Sequence, residues 1–380
     1  MTLGLPANGT FVGRVWRPDR DGPALIARRG AEAVDITCRD VPTMQALLDR
    51  DDSAAFAAEA PGESLGSLEA LAVASIETPE GAHLLAPCDM QPVKACGVTF
   101  VSSMLERVIE EQAKGDPARA LAIRERCTAI LGDSLRAVQP GSDKALQLKE
   151  VLIADGVWSQ YLEVGIGPYA EVFSKAQPMA AVGFGASVGL HPISTWNNPE
   201  PEVVLACDGR GRIKGATLGN DVNLRDVEGR SALLLGKAKD NNASCAVGPM
   251  LRLFDDSYGL DDVGNAELTL TVTGTDGYVL NGRSSMSQIS RDPKDLVAQT
   301  CGAHHQYPDG FFLMLGTLFA PTEDRDVPGE GFTHKLGDVV EISEPALGRL
   351  ANTVRLSTEC PPWRFGTSAL MRNLASRGLL

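Results

Sequence analysis

Residues 198–248 read NPEPEVVLACDGRGRIKGATLGNDVNLRDVEGRSALLLGKAKDNNASCAVG, and the rest of the chain is organised around them. Glu200 and Glu202 stand two apart and enter the apolar run Val203-Val204-Leu205-Ala206. In a strand, positions i and i+2 point to one face, so both carboxylates look into one space. Two carboxylates facing each other without a cation repel, and one is forced to keep its proton. A bound divalent ion removes that conflict, and hard oxygens favour Mg²⁺, with Mn²⁺ or Ca²⁺ as alternatives, over Zn²⁺. Asp221, in the turn signal Gly219-Asn220-Asp221, is the third acid, and Lys239 follows eighteen residues later. The stretch therefore predicts a metal held by Glu200, Glu202 and Asp221 with a lysine beside it. An E-x-E pair that opens a strand is otherwise a solvated face, and Pro201 fits either an edge strand or a strand start.

The chain has 380 residues, room for one large domain and a smaller one. A formal net charge of −14 speaks against nucleic acid and anionic membranes as partners, both of which need basic footprints. It leaves open an anionic small substrate, because a metal inverts the local field. The eight cysteines are scattered without a C-x-x-C pair, as expected of reduced thiols. With no signal-peptide pattern and no apolar run of about 18 residues, the expected location is cytoplasmic.

Residues 1–90 predict a small mixed N-terminal domain. Strands are expected at Phe11–Trp16 and Pro23–Ala27, a helix over Val41–Ala58 and a linker at Ala60–Ser67. Residues 91–102 read as a strand. Ser103 then reads as a helix cap, with Glu106 in capping-box position and Met104, Leu105, Val108 and Ile109 at helical spacing. Further helices are expected at 117–131 and 144–154, which makes a helical insertion at about 103–156. Beyond residue 160 strands dominate: Glu267–Gly274 with a hairpin partner at Tyr278, a long strand over Phe311–Ala320, and Lys335–Ile342 paired with Gly348–Leu356. That pattern favours a rolled or sandwiched sheet over a doubly wound one. The glycines at 183, 185 and 189 miss the G-x-G-x-x-G spacing, and neither a phosphate-binding loop nor a G-x-S-x-G elbow occurs.

An ordered set of short motifs resembles the fumarylacetoacetate hydrolase superfamily. It comprises Glu200-Pro201-Glu202, Asn220-Asp221-Val222-Asn223-Leu224-Arg225-Asp226, Lys239, Gly248-Pro249, Tyr307–Gly310, Gly316-Thr317, Gly337-Asp338-Val339 and Leu350–Val354. The resemblance covers roughly residues 90–380 and implies an α+β fold, a β-rich mixed roll, with residues 91–380 as catalytic domain. It also implies a Mg²⁺ site at the three acids and a homodimer or homotetramer. Within the superfamily the chain looks most like the 2-keto-3-deoxy-D-xylonate and -arabinonate dehydratases. The matching stretches include Leu105–Glu111, Trp158–Pro168, Ser194–Pro199, Gly236–Cys245 and the tail from Met371.

The implied activity is loss of water from a small anionic 2-keto sugar acid to give 2-oxoglutarate semialdehyde in oxidative pentose (D-xylose) degradation. By position, the acid/base pair of those enzymes falls on Glu171 and Lys239. Lys239 near a cation is expected to have a lowered pKa and to act as base, with Glu171 as acid, or the roles exchanged. Ser103, Lys237, Thr317, Arg225 and Ser285 are the candidate substrate-binding residues; Arg225 and Asp226 also read as an internal ion pair. The competing reading is an acylpyruvate or fumarylacetoacetate-type C–C bond hydrolase. Those hydrolases carry a histidine three residues after an aromatic, but after Phe100 that place holds Ser103.

Overall fold

The computed structural model describes residues 1–114, 116, 138–154, 158–319, 321, 323–328 and 331–380. The helix expected at 117–131 lies outside the described residues. Two open mixed sheets form the body of the protein, and neither closes into a barrel. The larger sheet joins β1 (Phe11–Arg17), β2 (Gly22–Arg29), β3 (Glu32–Asp35), β4 (Glu63–Ser67), β5 (His83–Leu85), β6 (Val93–Gly97), β7 (Glu171–Ala176), β9 (Pro201–Cys207), β10 (Ile213–Asp221), β11 (Cys245–Leu253) and β14 (Phe311–Met314). Its order is β4-β3-β2-β1-β11-β10-β9-β14-β6-β7, with β5 on β1. The smaller sheet runs β13 (Val279–Ser285), β12 (Glu267–Thr273), β15 (Val339–Glu344), β16 (Gly348–Leu356), β8 (Ser187–Leu190). The architecture is thus α+β and β-rich, and the strands of the first 90 residues continue the large sheet through the β1–β11 pairing.

Strand β9 shows how the sequence produces this. All seven of its residues are buried, so its apolar run has no solvent face. Val203, Leu205 and Cys207 point into the core shared with β12, β15 and β16. Val204 and Ala206 point to the opposite core, which is covered by Met44, Leu47 and Leu48 of the helix Met44–Leu48 (α1). Alternation with period two feeds two cores from one strand. It also fixes the face of Glu200 and Glu202, which share the parity of Val204.

The other helices are α2 (Ser53–Glu59), α3 (Leu68–Glu77), α4 (Val101–Ala113), α5 (Asp143–Ala154), α6 (Gln160–Ile166), α7 (Arg225–Glu228), α8 (Leu235–Lys239), α9 (Leu260–Gly264), α10 (Pro293–Thr300) and α11 (Thr367–Ser376). Met104, Val108 and Ile109 of α4 pack with Leu152, Leu162, Ile166 and Trp196 in a third, smaller core.

Four elements differ from expectation. The helix expected over 41–58 is two helices, α1 capped by the Thr43 hydroxyl and α2, separated at residues 49–52. The expected linker contains β4. Helix α4 begins at Val101, so Ser103 lies in its first turn, and its hydroxyl donates to the Phe100 carbonyl (2.9 Å) instead of capping. The strand expected to run to residue 320 stops at Met314. Gly316 adopts φ +91°, and its N–H is spent on the Glu202 carboxylate. A side chain there would be strained by the backbone and would collide with the Thr99 hydroxyl, 2.0 Å from the added carbon.

Candidate active site

One end of the central strands carries the acids. Glu200 immediately precedes β9, Glu202 is its second residue, and Asp221 closes the neighbouring β10. The β9–β10 register sets Glu202 beside Gly219, and the Asp221 N–H donates to the Glu200 carbonyl (3.0 Å). Carboxylate oxygens of Glu200, Glu202 and Asp221 all lie within 4.8 Å of one another, and all three residues are buried. Lys239, the last residue of α8, reaches in between them: Nζ is 2.6 Å from Glu200 Oε2 and 3.0 Å from Asp221 Oδ2. The ring of Phe173 lies beneath this ammonium, its centroid 5.7 Å from Nζ.

Two further cations hold the cluster. Lys175 of β7, fully buried, pairs with Asp221 Oδ1 at 2.7 Å. Arg107 of α4 bonds Glu200 Oε1 and, 2.8 Å away, Glu228 Oε2 of α7. Both Glu200 oxygens are therefore held by cations. A second ion pair, Arg225–Glu106 at 3.5 Å, also joins α7 to α4, so the helical insertion is braced against the site.

The electrostatics follow from burial. Asp221 is held below the usual carboxylate range: burial opposes its charge, but Lys175 and Lys239 outweigh it. Glu200 is pushed up by burial despite Lys239 and Arg107. Glu202 makes no ion pair among the described residues, and burial, Asp221 and Glu200 outweigh the pull of Lys239 and push it well above the ordinary value. Glu171, where β7 begins, is raised to about 7, chiefly by burial and then by Glu228. Lys239 is raised, which reverses the expectation of a lowered value. Burial works against its charge, but Asp221, Glu200 and Glu228 more than compensate.

These residues fit a divalent metal. Five carboxylates (Glu171, Glu200, Glu202, Asp221, Glu228) face three cations (Lys175, Lys239, Arg107), a surplus of two negative charges when all are ionised. The donor set is three hard oxygens in a buried cluster, the chemistry that Mg²⁺ takes. Glu202, forced toward its neutral form in the absence of a cation, is the ligand that such an ion would relieve.

The candidate substrate residues do not all converge here. Thr317 follows Gly316 and is buried, its hydroxyl accepting from the Phe319 N–H (3.1 Å). Ser103 sits in the first turn of α4, four residues before Arg107. Arg225 stacks on Trp196 (4.2 Å) and donates to the Pro321 carbonyl (3.1 Å). Asp226 accepts instead from the Ser194 hydroxyl and the Thr195 N–H, at 2.7 and 2.9 Å. Lys237 is exposed on α8, two residues before the buried Lys239. Ser285 bonds Glu267 within the small sheet.

Sequence reasoning missed Lys175, Arg107 and Glu228. A signal existed for Lys175: in a strand, Glu171, Phe173 and Lys175 share one face.

Residues 199–355 match the family described as fumarylacetoacetate (FAA) hydrolase C-terminal. A probable 2-keto-3-deoxyxylonate dehydratase of Haloferax volcanii is 30% identical over 194 residues, 51% of this chain and 63% of that protein. A 2-dehydro-3-deoxy-D-arabinonate dehydratase of Saccharolobus solfataricus is 30% identical over 188 residues, 49% of this chain and 58% of that protein. The matched region thus spans about three fifths of these relatives' lengths. Among solved structures, a 2-keto-3-deoxy-D-arabinonate dehydratase complexed with magnesium and 2,5-dioxopentanoate superposes with a TM-score of 0.64 at 21% identity, covering 91% of this chain and 99% of that one. Its apo form gives 0.65 at 20% identity. These likenesses establish the fold. No helix among the described residues is long and apolar enough to cross a membrane.

Proposed function

We propose that the protein is a Mg²⁺-dependent hydro-lyase that dehydrates a 2-keto-3-deoxy-D-pentonate, of the xylonate or arabinonate type, to 2-oxoglutarate semialdehyde. The observation that carries this reading is the pairing of a buried three-carboxylate cluster with Glu171, whose carboxyl is raised to about 7. The names of the curated relatives supply the substrate class. A divalent ion at Glu200, Glu202 and Asp221 would supply polarisation of the 2-keto group and stabilise the charge that develops as C3 loses its proton.

The chain's own residues handle the protons. Glu171, near 7, exchanges a proton at neutral pH and is suited to take the one at C3. Lys239, held protonated by its acids, is suited to donate to the C4 hydroxyl, which leaves as water. The C3–H and C4–O bonds break and a C3–C4 double bond forms. A proton then moves from C5 to C3, giving the C4–C5 enol, and the enol hydroxyl proton passes to C4 to leave the 5-aldehyde. The assignment exchanges the roles first expected from sequence, because Lys239 is raised where a base would be lowered. Such a product fits a role in oxidative pentose degradation.

The test is direct: purified protein, Mg²⁺ and 2-keto-3-deoxy-D-xylonate or -arabinonate, with the product trapped as its aldehyde derivative. Formation of 2-oxoglutarate semialdehyde is expected. Cleavage of an acylpyruvate with no dehydration of either sugar acid would replace this reading with that of a C–C bond hydrolase.

A further inference from the structure

Lys175 is fully buried, 0% exposed. Its ammonium has three N–H donors, and three acceptors surround it: Asp221 Oδ1 at 2.7 Å, the Val222 carbonyl at 3.0 Å and the Lys239 carbonyl at 2.6 Å. Two of these contacts are hydrogen bonds and the third is an ion pair, and all three partners are internal to the fold. The three acceptors belong to two elements. Asp221 and Val222 are the exit of β10, and Lys239 is the end of α8. The Lys239 carbonyl also accepts from the Ser244 hydroxyl (2.8 Å), and the Ser244 carbonyl receives the Val222 N–H (3.2 Å), so the joint is closed on both sides. Lys175 itself comes from a third element, β7, which also presents Glu171.

We infer that Lys175 is the positioning residue of the site. It fixes the carboxylate of Asp221 by Oδ1, while Oδ2 faces Lys239, and it fixes the backbone from which Lys239 reaches the cluster. The inference rests on the metal-dependent reading above. A buried cation bonded to a ligand's distal oxygen orients that ligand, and loss of such a partner costs about 10–100-fold in metal affinity or activity.

The experiment is Mn²⁺ binding, followed by electron paramagnetic resonance, together with kcat and KM at saturating Mn²⁺. Both are measured on the full chain and on Lys175→Met with wild-type circular dichroism. The expected result is a metal dissociation constant raised at least ~10-fold. The rate at saturating metal should also fall, in kcat with little change in KM, because Lys239 has lost its anchor. Where Lys175→Met does not fold, Lys175→Gln keeps an amide for the two carbonyls and removes only the charge facing Asp221. The same rise in dissociation constant is then expected. A folded variant that binds Mn²⁺ and turns over within twofold of wild type overturns the inference. Failure of the wild type itself to bind Mn²⁺ overturns the metal reading, and the inference with it.

Discussion

The carboxylate of Glu171 lies across the bare backbone of Gly97, so close that a carbon added to Gly97 would sit 2.0 Å from Glu171 Oε2. The two residues are opposed in the β6–β7 register, so the glycine makes room for the acid. Gly97→Ala should push the carboxylate aside without disturbing the acid cluster around Asp221. Misplacing a reacting group by about 1 Å costs on the order of 10²-fold, so kcat should fall by about that factor while the melting temperature stays near wild type. Undiminished kcat in the alanine variant would separate Glu171 from the chemistry.

Lys237 and Lys239 are two residues apart on α8, one exposed and one buried among acids. Lys239→Ala removes the cation between Glu200 and Asp221 and should cut kcat at least ~10²-fold, the scale of a positioned acid or base. Lys237→Ala should change kcat less than about threefold, since its side chain points to water. Steady-state kinetics of the two variants decide it: equal losses would contradict the assignment.

How much of this the sequence carried depended on whether a neighbour in space was also a neighbour in pattern. Glu200, Glu202 and Asp221 could be grouped because a strand's period of two sets the first pair and a turn delivers the third. Thr99, Gly316 and Glu202 could not, since the Gly316 N–H meets Glu202 only once β14 is seated beside β9. Arg107 lay in a helix whose buried face the spacing shows, but nothing in that spacing ties it to Glu200. It became a partner of Glu200 only when α4 folded over the site. The direction of the Lys239 shift went wrong for a related reason: the expectation counted the cation to be bound and not the carboxylates already there.

Arg107 competes with any metal for Glu200, because it occupies Oε1 while Lys239 occupies Oε2. Removing its charge by Arg107→Met should tighten Mg²⁺ binding. A unit charge about 5 Å from a divalent ion at an effective dielectric near 20 repels it by roughly 6–7 kcal/mol, so relief of even a fraction of that raises the affinity by at least ~10-fold. Isothermal titration of the two proteins checks this, and an unchanged or weaker affinity in the variant would show that Arg107 does not oppose the ion.

Asp338 ties the loop before β15. It accepts from Arg325 Nη1 and Nη2 at 2.6 and 2.8 Å, from the Lys335 N–H at 2.9 Å, and lies 3.2 Å from His334 Nδ1. Burial opposes its charge, but Arg325, His334 and the Lys335 N–H hold it down to about 2. The folded value lies below the unfolded one, near 4. Its contribution is therefore complete above about pH 4 and is lost as pH falls toward about 2. Asp338→Asn should cost on the order of 3 kcal/mol at pH 7 by leaving Arg325 short of its partner. It should also flatten the acid side of the stability profile. Urea titrations at pH 7 and pH 3 measure both; a variant with the wild-type acid slope would refute the assignment.

Glu202 shows the conflict between stability and metal binding most directly. Without a cation it is buried beside Asp221 and Glu200 and pushed well above the ordinary carboxylate value. A carboxyl raised on folding contributes most below its unfolded pKa, and that contribution is lost as pH rises toward the folded value. At pH 8 the metal-free protein therefore carries a cost that Glu202→Gln removes, while the amide oxygen can still accept the Gly316 N–H. The variant should melt higher than wild type in EDTA, by on the order of 2 °C or more. In Mg²⁺ the order should reverse. An ion at 100 times its dissociation constant stabilises the wild type by about 2.7 kcal/mol, and the variant, short of one ligand, should gain little and turn over no substrate. Thermal melts of both proteins, with and without Mg²⁺, supply all four values. A variant that still shifts upward with Mg²⁺ as the wild type does would remove Glu202 from the ligand set.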